Sequence, residues 1–156
     1  VFTAHSIPES MAATCDYAAQ LEETAGLIAQ ELRHDKWKVV YQSRSGPPSQ
    51  PWLGPDICDY VRELKNEGVT DIVVAPIGFL SDHVEVVYDL DVELRQVVDD
   101  IGGVNLVRAA TVGTYPSFVK MIRELILERV DNAPARFVGS RGVPHSICPD
   151  DRCLAG

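Results

Sequence analysis

The sequence predicts an α/β fold of three layers (α/β/α), in which a four-stranded parallel sheet lies between helices. Short apolar runs of strand length alternate along the chain with segments of ten or more residues whose apolar positions recur at helical spacing. Strands separated by such segments cannot pair as hairpins, so they pair in parallel and the crossover helices cover the sheet. A chain of 156 residues with 46% hydrophobic residues is long enough for one such domain.

The first half of the chain supplies two predicted strands and two predicted helices. An apolar strand over 1–5 is followed by a helix over 17–32 with apolar residues at helical spacing. A second strand covers 37–41. The best-defined helix covers 57–67, because a proline-aspartate pair precedes its apolar stripe and Gly68 follows it as a C-cap signal.

The second half continues the alternation of strands and helices. The near-continuous apolar run over 71–79 is typical of a strand that is buried on both faces. A helix over 83–100 follows, with Ser81 or Asp82 as its N-cap, and then a strand over 104–109. These segments complete the four predicted strands.

The last predicted helix and the tail differ in character. A helix over 116–130 carries an apolar stripe that we expect to face the core: Phe118, Met121, Ile122, Leu125 and Ile126. Beyond it the periodic pattern is lost, and proline, glycine and cysteine dominate. We therefore predict a folded lobe over 1–131 and an irregular tail over 132–156, where Cys148 and Cys153 are close enough to suggest a metal or cluster.

Charge and hydropathy exclude several classes of partner. With 23 acidic and 14 basic residues the formal net charge is −9, so the protein repels phosphate and we expect no nucleic-acid partner. No run of 18 apolar residues occurs, so we expect no transmembrane segment. No basic stretch followed by an apolar one marks secretion, and we expect a cytoplasmic protein. The chain opens at Val1, directly in apolar residues, and we expect further sequence upstream.

Ligands of parallel α/β sheets gather at the carboxyl ends of the strands, and this singles out three places. They are His5, the glycine- and proline-rich loop 42–55 and the segment 78–85. At that edge His5 can serve as a proton acceptor or a ligand, although a single histidine there more often only satisfies backbone groups. Arg44 in the loop can reach either a ligand carboxylate or a neighbouring acidic residue, and the sequence leaves both open.

Three acidic residues follow one another on the predicted third helix. Glu85, Asp89 and Glu93 fall at i, i+4 and i+8 and therefore on one helix face, where like charges weaken the helix. A solvated acidic face is the simpler interpretation, above all for Glu93. The alternative is a row of oxygen ligands for a divalent cation, with His83 and Glu85 supplying nitrogen and oxygen donors suited to iron(II).

The sequence lacks the glycine-rich fingerprint of dinucleotide sites, the P-loop and the nucleophile elbow of serine hydrolases. Those function classes are therefore disfavoured. Aromatic and aliphatic residues near the carboxyl edge of the predicted sheet can instead line an apolar cleft for a small molecule. Most of them can equally be core residues. They are Tyr41, Trp52, Leu53, Ile77, Phe79 and Leu80.

Three blocks of the chain, taken together, resemble a known family. VFTAHSIP (1–8), YQSRSGPPSQPWLGPDI (41–57) and APIGFLSDHVEVVYDLDVE (75–93) resemble, in order and spacing, the signature blocks of ferrochelatases, and most closely those of the actinobacterial branch. The resemblance covers about the first 130 residues. It implies a chelatase-like fold and an enzyme that inserts ferrous iron, its substrate, into a porphyrin, coproporphyrin III in that branch.

The resemblance also implies roles for individual residues. It makes His5 the proton acceptor and an iron ligand, and Glu85 the second ligand or a proton relay. It makes Asp89 and Glu93 part of a metal-delivery face on a helix that often carries a π-type bulge. The supporting residues it implies are Ser6, Asp82 and His83, and the porphyrin-binding residues are Tyr41, Arg44, Trp52 and Phe79.

The length of the chain and its cysteines bear on partners and cofactors. Ferrochelatases are about twice as long and fold as two similar lobes, so the resemblance implies that this sequence is the carboxyl-terminal lobe and that an amino-terminal lobe is its partner. We expect the lobe alone to be weakly active or inactive. A [2Fe-2S] cluster needs four thiolates, so Cys15 and Cys58 would have to approach Cys148 and Cys153.

Two other functions stay open at this point. One is a non-catalytic tetrapyrrole-binding or metal-binding module with the same fold. The other is a cobalt or nickel chelatase of the related class, whose shorter chains suit this length better. The paired presence of His5 and Glu85 favours an enzyme over a carrier, and the QSRSG and PWLGPDI blocks favour ferrochelatase over the related chelatases.

Overall fold

The computed structural model describes residues 1–142 of the chain. The strands are β1 (Phe2–His5), β2 (Val39–Gln42), β3 (Asp71–Val74) and β4 (Asn105–Arg108). The helices are α1 (Glu9–Ala12), α2 (Tyr17–Glu31), α3 (Ile57–Asn66), α4 (Val84–Val86), a π-helix (Val87–Glu93), α5 (Leu94–Ile101) and α6 (Pro116–Val130). The predicted alternation of strands and helices is confirmed, and the short α1 is an element that the sequence pattern did not predict. No helix within the described residues has both the length and the apolar character that crossing a bilayer requires.

The strands pair in parallel, as predicted, but in two sheets of two strands. β1 pairs with β2 and places His5 opposite Gln42, and β3 pairs with β4. A single parallel bridge between Phe2 and Ala75 joins β1 to the end of β3, so the predicted four-stranded sheet is not formed as one continuous ladder. The reason lies in the next residue, because Pro76 has no N–H with which to extend the ladder. The chain turns there, and Ile77 N donates back to Ala75 O at 2.9 Å.

Helices pack on both faces of the β1–β2 pair. Side chains of a strand alternate between its faces, and β2 shows the consequence directly. Val40 belongs to a core cluster with α3, the π-helix and α5, whereas Val39 and Tyr41 belong to a second cluster with α2. The carboxyl ends of β1 and β2 emerge between these two clusters, with His5 at the edge.

β3 has one exposed face, contrary to prediction. Ile72 and Val74 are buried, but Val73 between them is 59% exposed, and Val107 on the neighbouring strand is 52% exposed. A continuous apolar run therefore does not establish burial on both faces: Val73 and its cross-strand neighbour Val107 are both exposed among the described residues.

α6 belongs to a second compact unit. The first unit comprises Val1–Tyr115, and the second begins at Pro116. The sequence predicted a core-facing stripe on this helix, but α6 has no buried residue, and Met121, Ile122, Leu125 and Ile126 are exposed. In the second unit, the described residues after α6 form no further helix or strand against which this stripe can pack. The predicted division between a lobe ending at residue 131 and a tail stays a prediction.

Candidate active site at the carboxyl ends of β1 and β2

The imidazole of His5 has a defined tautomer. His5 is the last residue of β1, and its Nδ1 forms a short hydrogen bond with the carbonyl oxygen of Ser6. A carbonyl oxygen can only accept, so Nδ1 carries the proton, and Nε2 of the neutral ring keeps its lone pair. That Nε2 lies 3.5 Å from Oε1 of Glu85. The nitrogen that can take a proton or bind a cation therefore faces a carboxylate.

Backbone contacts fix the end of β1 that carries His5. The hydroxyl of Tyr17 donates to the carbonyl oxygen of His5 at 2.9 Å. Ser6, only 2% exposed, donates its backbone N–H to Gln42 O at 2.8 Å and its hydroxyl to Leu53 O at 2.7 Å. The strand end is thus tied to α2, to the end of β2 and to the loop after β2.

His83 begins the helix that carries Glu85. Its Nδ1 accepts a long, 3.5 Å hydrogen bond from the backbone N–H of Val86, and its ring packs edge-on against Phe79 with 5.4 Å between centroids. The N-cap of α4 is therefore His83, and the prediction of Ser81 or Asp82 was wrong. The carboxylate of Asp82 is unavailable for capping because it is engaged elsewhere, in contacts with β4.

Glu85 lies in the first turn of α4, where the helix dipole favours an anion. Its side chain is 48% exposed and that of His5 is 35% exposed, so solvent and small ions reach both. The 3.5 Å between them is longer than a normal hydrogen bond of about 2.7–3.2 Å. A ligand nitrogen and a ligand oxygen at this separation can, however, both bind one divalent cation at about 2.1 Å, with an angle of roughly 110° between the two bonds. Among the residues predicted for the site, this is the pair that the structure brings together most directly.

The next acidic residue, Asp89 in the π-helix, is hydrogen-bonded to the end of β2. Asp89 Oδ2 accepts a hydrogen bond from Gln42 Nε2 at 3.1 Å and a short one from the hydroxyl of Ser43. Asp89 is thus joined to the end of β2. Glu85 thus lies at His5 and Asp89 at Gln42, the residue paired with His5 on the neighbouring strand, and the metal-delivery role of the acidic row stays a prediction. Within residues 1–142, no three histidine, cysteine or acidic side chains gather closely enough to hold a metal ion by themselves.

Asp89 and Glu93 share an open cavity of about 580 Å³ between α3 and the π-helix. Its charged lining includes four carboxylates and one cation: Asp56, Asp59, Asp89, Glu93 and Arg62. Gln42 also lines it and is buried, with its Oε1 lacking a hydrogen-bond partner among the described residues. A cavity with this excess of negative charge attracts cations.

Comparison with known proteins identifies the family. A family model described as Ferrochelatase matches residues 1–130. The chain belongs to the ferrochelatase family. It is 47% identical over 158 residues to the ferrochelatase of Rhodopirellula baltica, with 99% of this chain and 44% of that protein covered. It is 43% identical over 174 residues to the coproporphyrin III ferrochelatase of Streptomyces griseus, with 99% and 46% covered, and 44% identical over 160 residues to that of Mycobacterium ulcerans, with 100% and 45% covered. The chain therefore spans less than half the length of these relatives.

The four residues expected to bind porphyrin in this ferrochelatase-family chain lie in two different environments. Tyr41 and Phe79 are core residues, 6% and 8% exposed, and burial raises the pKa of Tyr41. Arg44 is exposed and its Nη2 reaches two carbonyls of its own loop, at 3.2 and 3.4 Å. Trp52 is half-buried and packs so closely on Gly46 that a Cβ there would lie 2.4 Å from the indole nitrogen. Arg44 and Trp52 thus lie in the loop after β2, whereas Tyr41 and Phe79 belong to the two hydrophobic clusters of the core.

The cysteines predicted as cluster ligands, Cys148 and Cys153, lie outside the described residues. Of the other two, Cys15 is exposed and Cys58 is half-buried on α3. Burial and the nearby carboxylate of Asp56 raise the pKa of the Cys58 thiol to about 11. The [2Fe-2S] cluster stays a prediction, and nothing in the site requires it.

One charged residue near the site was missed by the sequence analysis. Arg108 is the last residue of β4 and forms ion pairs with Asp82 and Asp91, which flank the segment that carries Glu85. The available signal was its place at the carboxyl end of a predicted strand, where ligands and their supporting residues gather. Its partners could not be read from the sequence because they come from other elements.

Proposed function

We propose that this chain is the carboxyl-terminal lobe of a ferrochelatase, a lyase of heme biosynthesis that inserts ferrous iron into a porphyrin, and that residues 1–131 form this lobe. Membership of the ferrochelatase family supports the reaction class. The single observation that carries the residue assignment is the 3.5 Å approach of His5 Nε2 to Glu85 Oε1 at the carboxyl end of β1.

His5 is the proposed proton acceptor and iron ligand. Metal insertion requires two pyrrole N–H protons to leave while the iron loses its water, so a base must stand beside the entering ion. The Nδ1–H bond to Ser6 O leaves Nε2 free to accept a proton or to bind iron. Once the ring is protonated, the carboxylate of Glu85 stabilises its positive charge.

Glu85 is the proposed second ligand or proton relay. Its exposed carboxylate can bind ferrous iron as an oxygen ligand, or pass a proton from His5 to solvent. Ser6 and His83 support the pair, because Ser6 holds the strand that carries His5 and His83 caps the helix that carries Glu85. Asp82 completes the proposed supporting set.

The acidic cavity with Asp89 and Glu93 is the proposed route of iron to this pair. Carboxylate oxygens replace water around a divalent cation, and a line of them lets the ion move without full rehydration. The excess of acidic residues lining the cavity concentrates cations beside the His5–Glu85 pair.

The proposed porphyrin-binding residues are Tyr41, Arg44, Trp52 and Phe79, of which Arg44 and Trp52 lie in the loop after β2. An indole face suits a flat macrocycle, and a guanidinium suits the carboxylates that a porphyrin carries. The relatives from Streptomyces griseus and Mycobacterium ulcerans are named for coproporphyrin III, which favours that porphyrin over protoporphyrin IX. The amino-terminal lobe is the proposed partner that supplies the remaining porphyrin contacts.

An anaerobic insertion assay tests the function. Ferrous iron is supplied with coproporphyrin III or protoporphyrin IX, and loss of porphyrin fluorescence is followed for the chain alone and with an amino-terminal lobe. We expect activity only with both lobes, and faster turnover of coproporphyrin III. His5→Ala and Glu85→Gln should each lower kcat by about 10²-fold or more, the usual contribution of a positioned acid or base.

A matched histidine controls for unspecific effects of these substitutions. His34 is exposed after α2 and its side chain forms no hydrogen bond or ion pair within the described residues, so His34→Ala should keep the wild-type kcat. Full activity of both the His5 and the Glu85 variants would refute the residue assignment. Absence of insertion with both lobes present would refute the reaction.

A further inference from the structure

Arg108, at the end of β4, binds one carboxylate just before α4 and one in the π-helix, on either side of Glu85. Its Nε and Nη2 donate to the two carboxylate oxygens of Asp91, at 2.6 and 2.8 Å, in a bidentate pair. Its Nη1 donates to Asp82 Oδ1 at 2.9 Å and to the carbonyl oxygen of Ala109 at 3.1 Å. The side chain is 17% exposed, so these contacts are partly shielded from water. One planar cation thus binds two carboxylates from different elements.

The two carboxylates bracket Glu85 along the chain. Asp82 lies three residues before Glu85, ahead of the N-cap, and Asp91 lies six residues after it, in the π-helix. Arg108 does not contact Glu85 itself. The N–H of Thr111 also donates to Asp82 Oδ1, at 3.4 Å, and adds a second attachment of this loop to the chain after β4. The start of α4 and the π-helix are therefore both anchored to the end of β4.

We propose that Arg108 is a positioning residue of the reaction, which holds the start of α4 in the orientation that places the Glu85 carboxylate opposite His5. This inference rests on the proposed function. Without the guanidinium, Asp91 would lose its bidentate partner and Asp82 would keep only the long contact from the Thr111 N–H, with further acidic residues of the π-helix nearby. Repulsion among these carboxylates would separate the loop from the helix and displace Glu85, which lies between them.

The geometry requires an arginine. The hydrogen bonds to Asp91 raise the pKa of Arg108, so its charge persists over the whole working pH range. A lysine supplies one charge but lacks the planar fork that serves two carboxylates at once. Arg108→Lys should therefore restore only part of what Arg108→Gln loses.

The test measures kinetics and the state of His5 separately. In the two-lobe enzyme, Arg108→Gln should lower kcat for iron insertion by about 10- to 100-fold, as is usual for residues that orient a ligand, while the KM for coproporphyrin stays within about twofold. In the 156-residue chain without porphyrin, long-range ¹H–¹⁵N spectra record the ring nitrogens of His5. Arg108→Gln should move the Nε2 signal in the same direction as Glu85→Gln does, because both remove the carboxylate from the ring.

A second arginine provides the matched control. Arg95 on α5 also reaches β4, donating to Leu106 O at 3.1 Å, but it holds neither carboxylate beside Glu85. Arg95→Gln should keep the wild-type kcat, KM and His5 signals, even where it lowers thermal stability. If Arg108→Gln does not fold, Asp91→Asn is measured by the same criteria, because it removes the bidentate pair and keeps the cation.

The outcomes separate this inference from the proposed function. A wild-type kcat and wild-type His5 signals in Arg108→Gln would overturn the positioning role. Equal losses in the Arg95 and Arg108 variants would also overturn it, since they would indicate a general loss of structure. If the wild-type enzyme inserts no iron but the His5 signal still depends on Arg108, the proposed function fails while Arg108 still positions Glu85.

Discussion

Two histidines near the site have opposite tautomers, and this difference decides which one can act as a base. Nδ1 of His5 donates to a carbonyl oxygen, so the lone pair of its neutral ring is on Nε2, which faces Glu85. Nδ1 of His83 accepts from a backbone N–H, so the proton of its neutral ring is on Nε2. The same residue type is therefore an acceptor beside Glu85 in one case and a helix cap in the other.

Cys58 gives a residue-scale prediction about reactivity. Its pKa of about 11, raised from 9.0 by burial, leaves at pH 8 a thiolate fraction about 100-fold smaller than that of an ordinary thiol. In a variant in which the other three cysteines are serine, iodoacetamide should modify folded Cys58 about 100-fold more slowly than the same chain unfolded in urea. The folded rate should rise about tenfold per pH unit between pH 8 and 10. Equal rates in the folded and unfolded chains would contradict the shielded thiol.

At the scale of secondary structure elements, α3 begins with a local hydrogen bond. Asp56 is its N-cap and accepts from the backbone N–H of Cys58 at 2.8 Å. Asp56→Ala should lower the free energy of unfolding by about 1 kcal/mol, the usual effect of removing such a cap. Urea unfolding measures it, with Glu63→Ala on the exposed side of the same helix as control, for which a change within about 0.5 kcal/mol is expected. Equal effects of the two substitutions would contradict the capping role.

The limits of α3 could be predicted from sequence because capping is local, whereas the π-helix could not be recognised from helical periodicity. The buried positions Val86, Leu90, Leu94 and Val98 are each four residues apart. In an α-helix of 3.6 residues per turn, each such step drifts by about 40° around the axis. One wider turn compensates for this drift and keeps all four residues on the core side. Glu85, Asp89 and Glu93 each precede one of these residues and are also four residues apart, so the same wide turn limits their drift around the axis as well.

The site itself could be predicted in part. The rule that ligands gather at the carboxyl ends of parallel strands singled out His5 and the segment 78–85, whereas the joint role of His5 and Glu85 came from the resemblance to ferrochelatases. The partners of Asp82 could not be derived in this way. They depend on the pairing of β3 with β4, which brings Arg108 beside a loop 26 residues away in sequence. Interactions between distant elements are those that a single sequence does not reveal.

At the scale of the whole chain, the buried core lies in one of the two compact units. Both hydrophobic clusters draw on residues between Val1 and Leu106, and α6 contributes no buried residue. The site residues of the described chain also precede Tyr115. The first unit thus contains what positions the His5–Glu85 pair.

This distribution predicts that residues 1–115 fold without the remainder of the chain. Because truncation after Tyr115 removes none of the buried apolar side chains of the described residues, the free energy of unfolding should stay within about 1 kcal/mol of the full chain, with a cooperative urea transition. The Nε2 signal of His5 should be unchanged. Truncation after Gly103 is the control, since it removes β4, the buried Leu106 and Arg108, and it should abolish cooperative unfolding. If residues 1–115 fail to fold, the first unit depends on residues after Tyr115 for its stability.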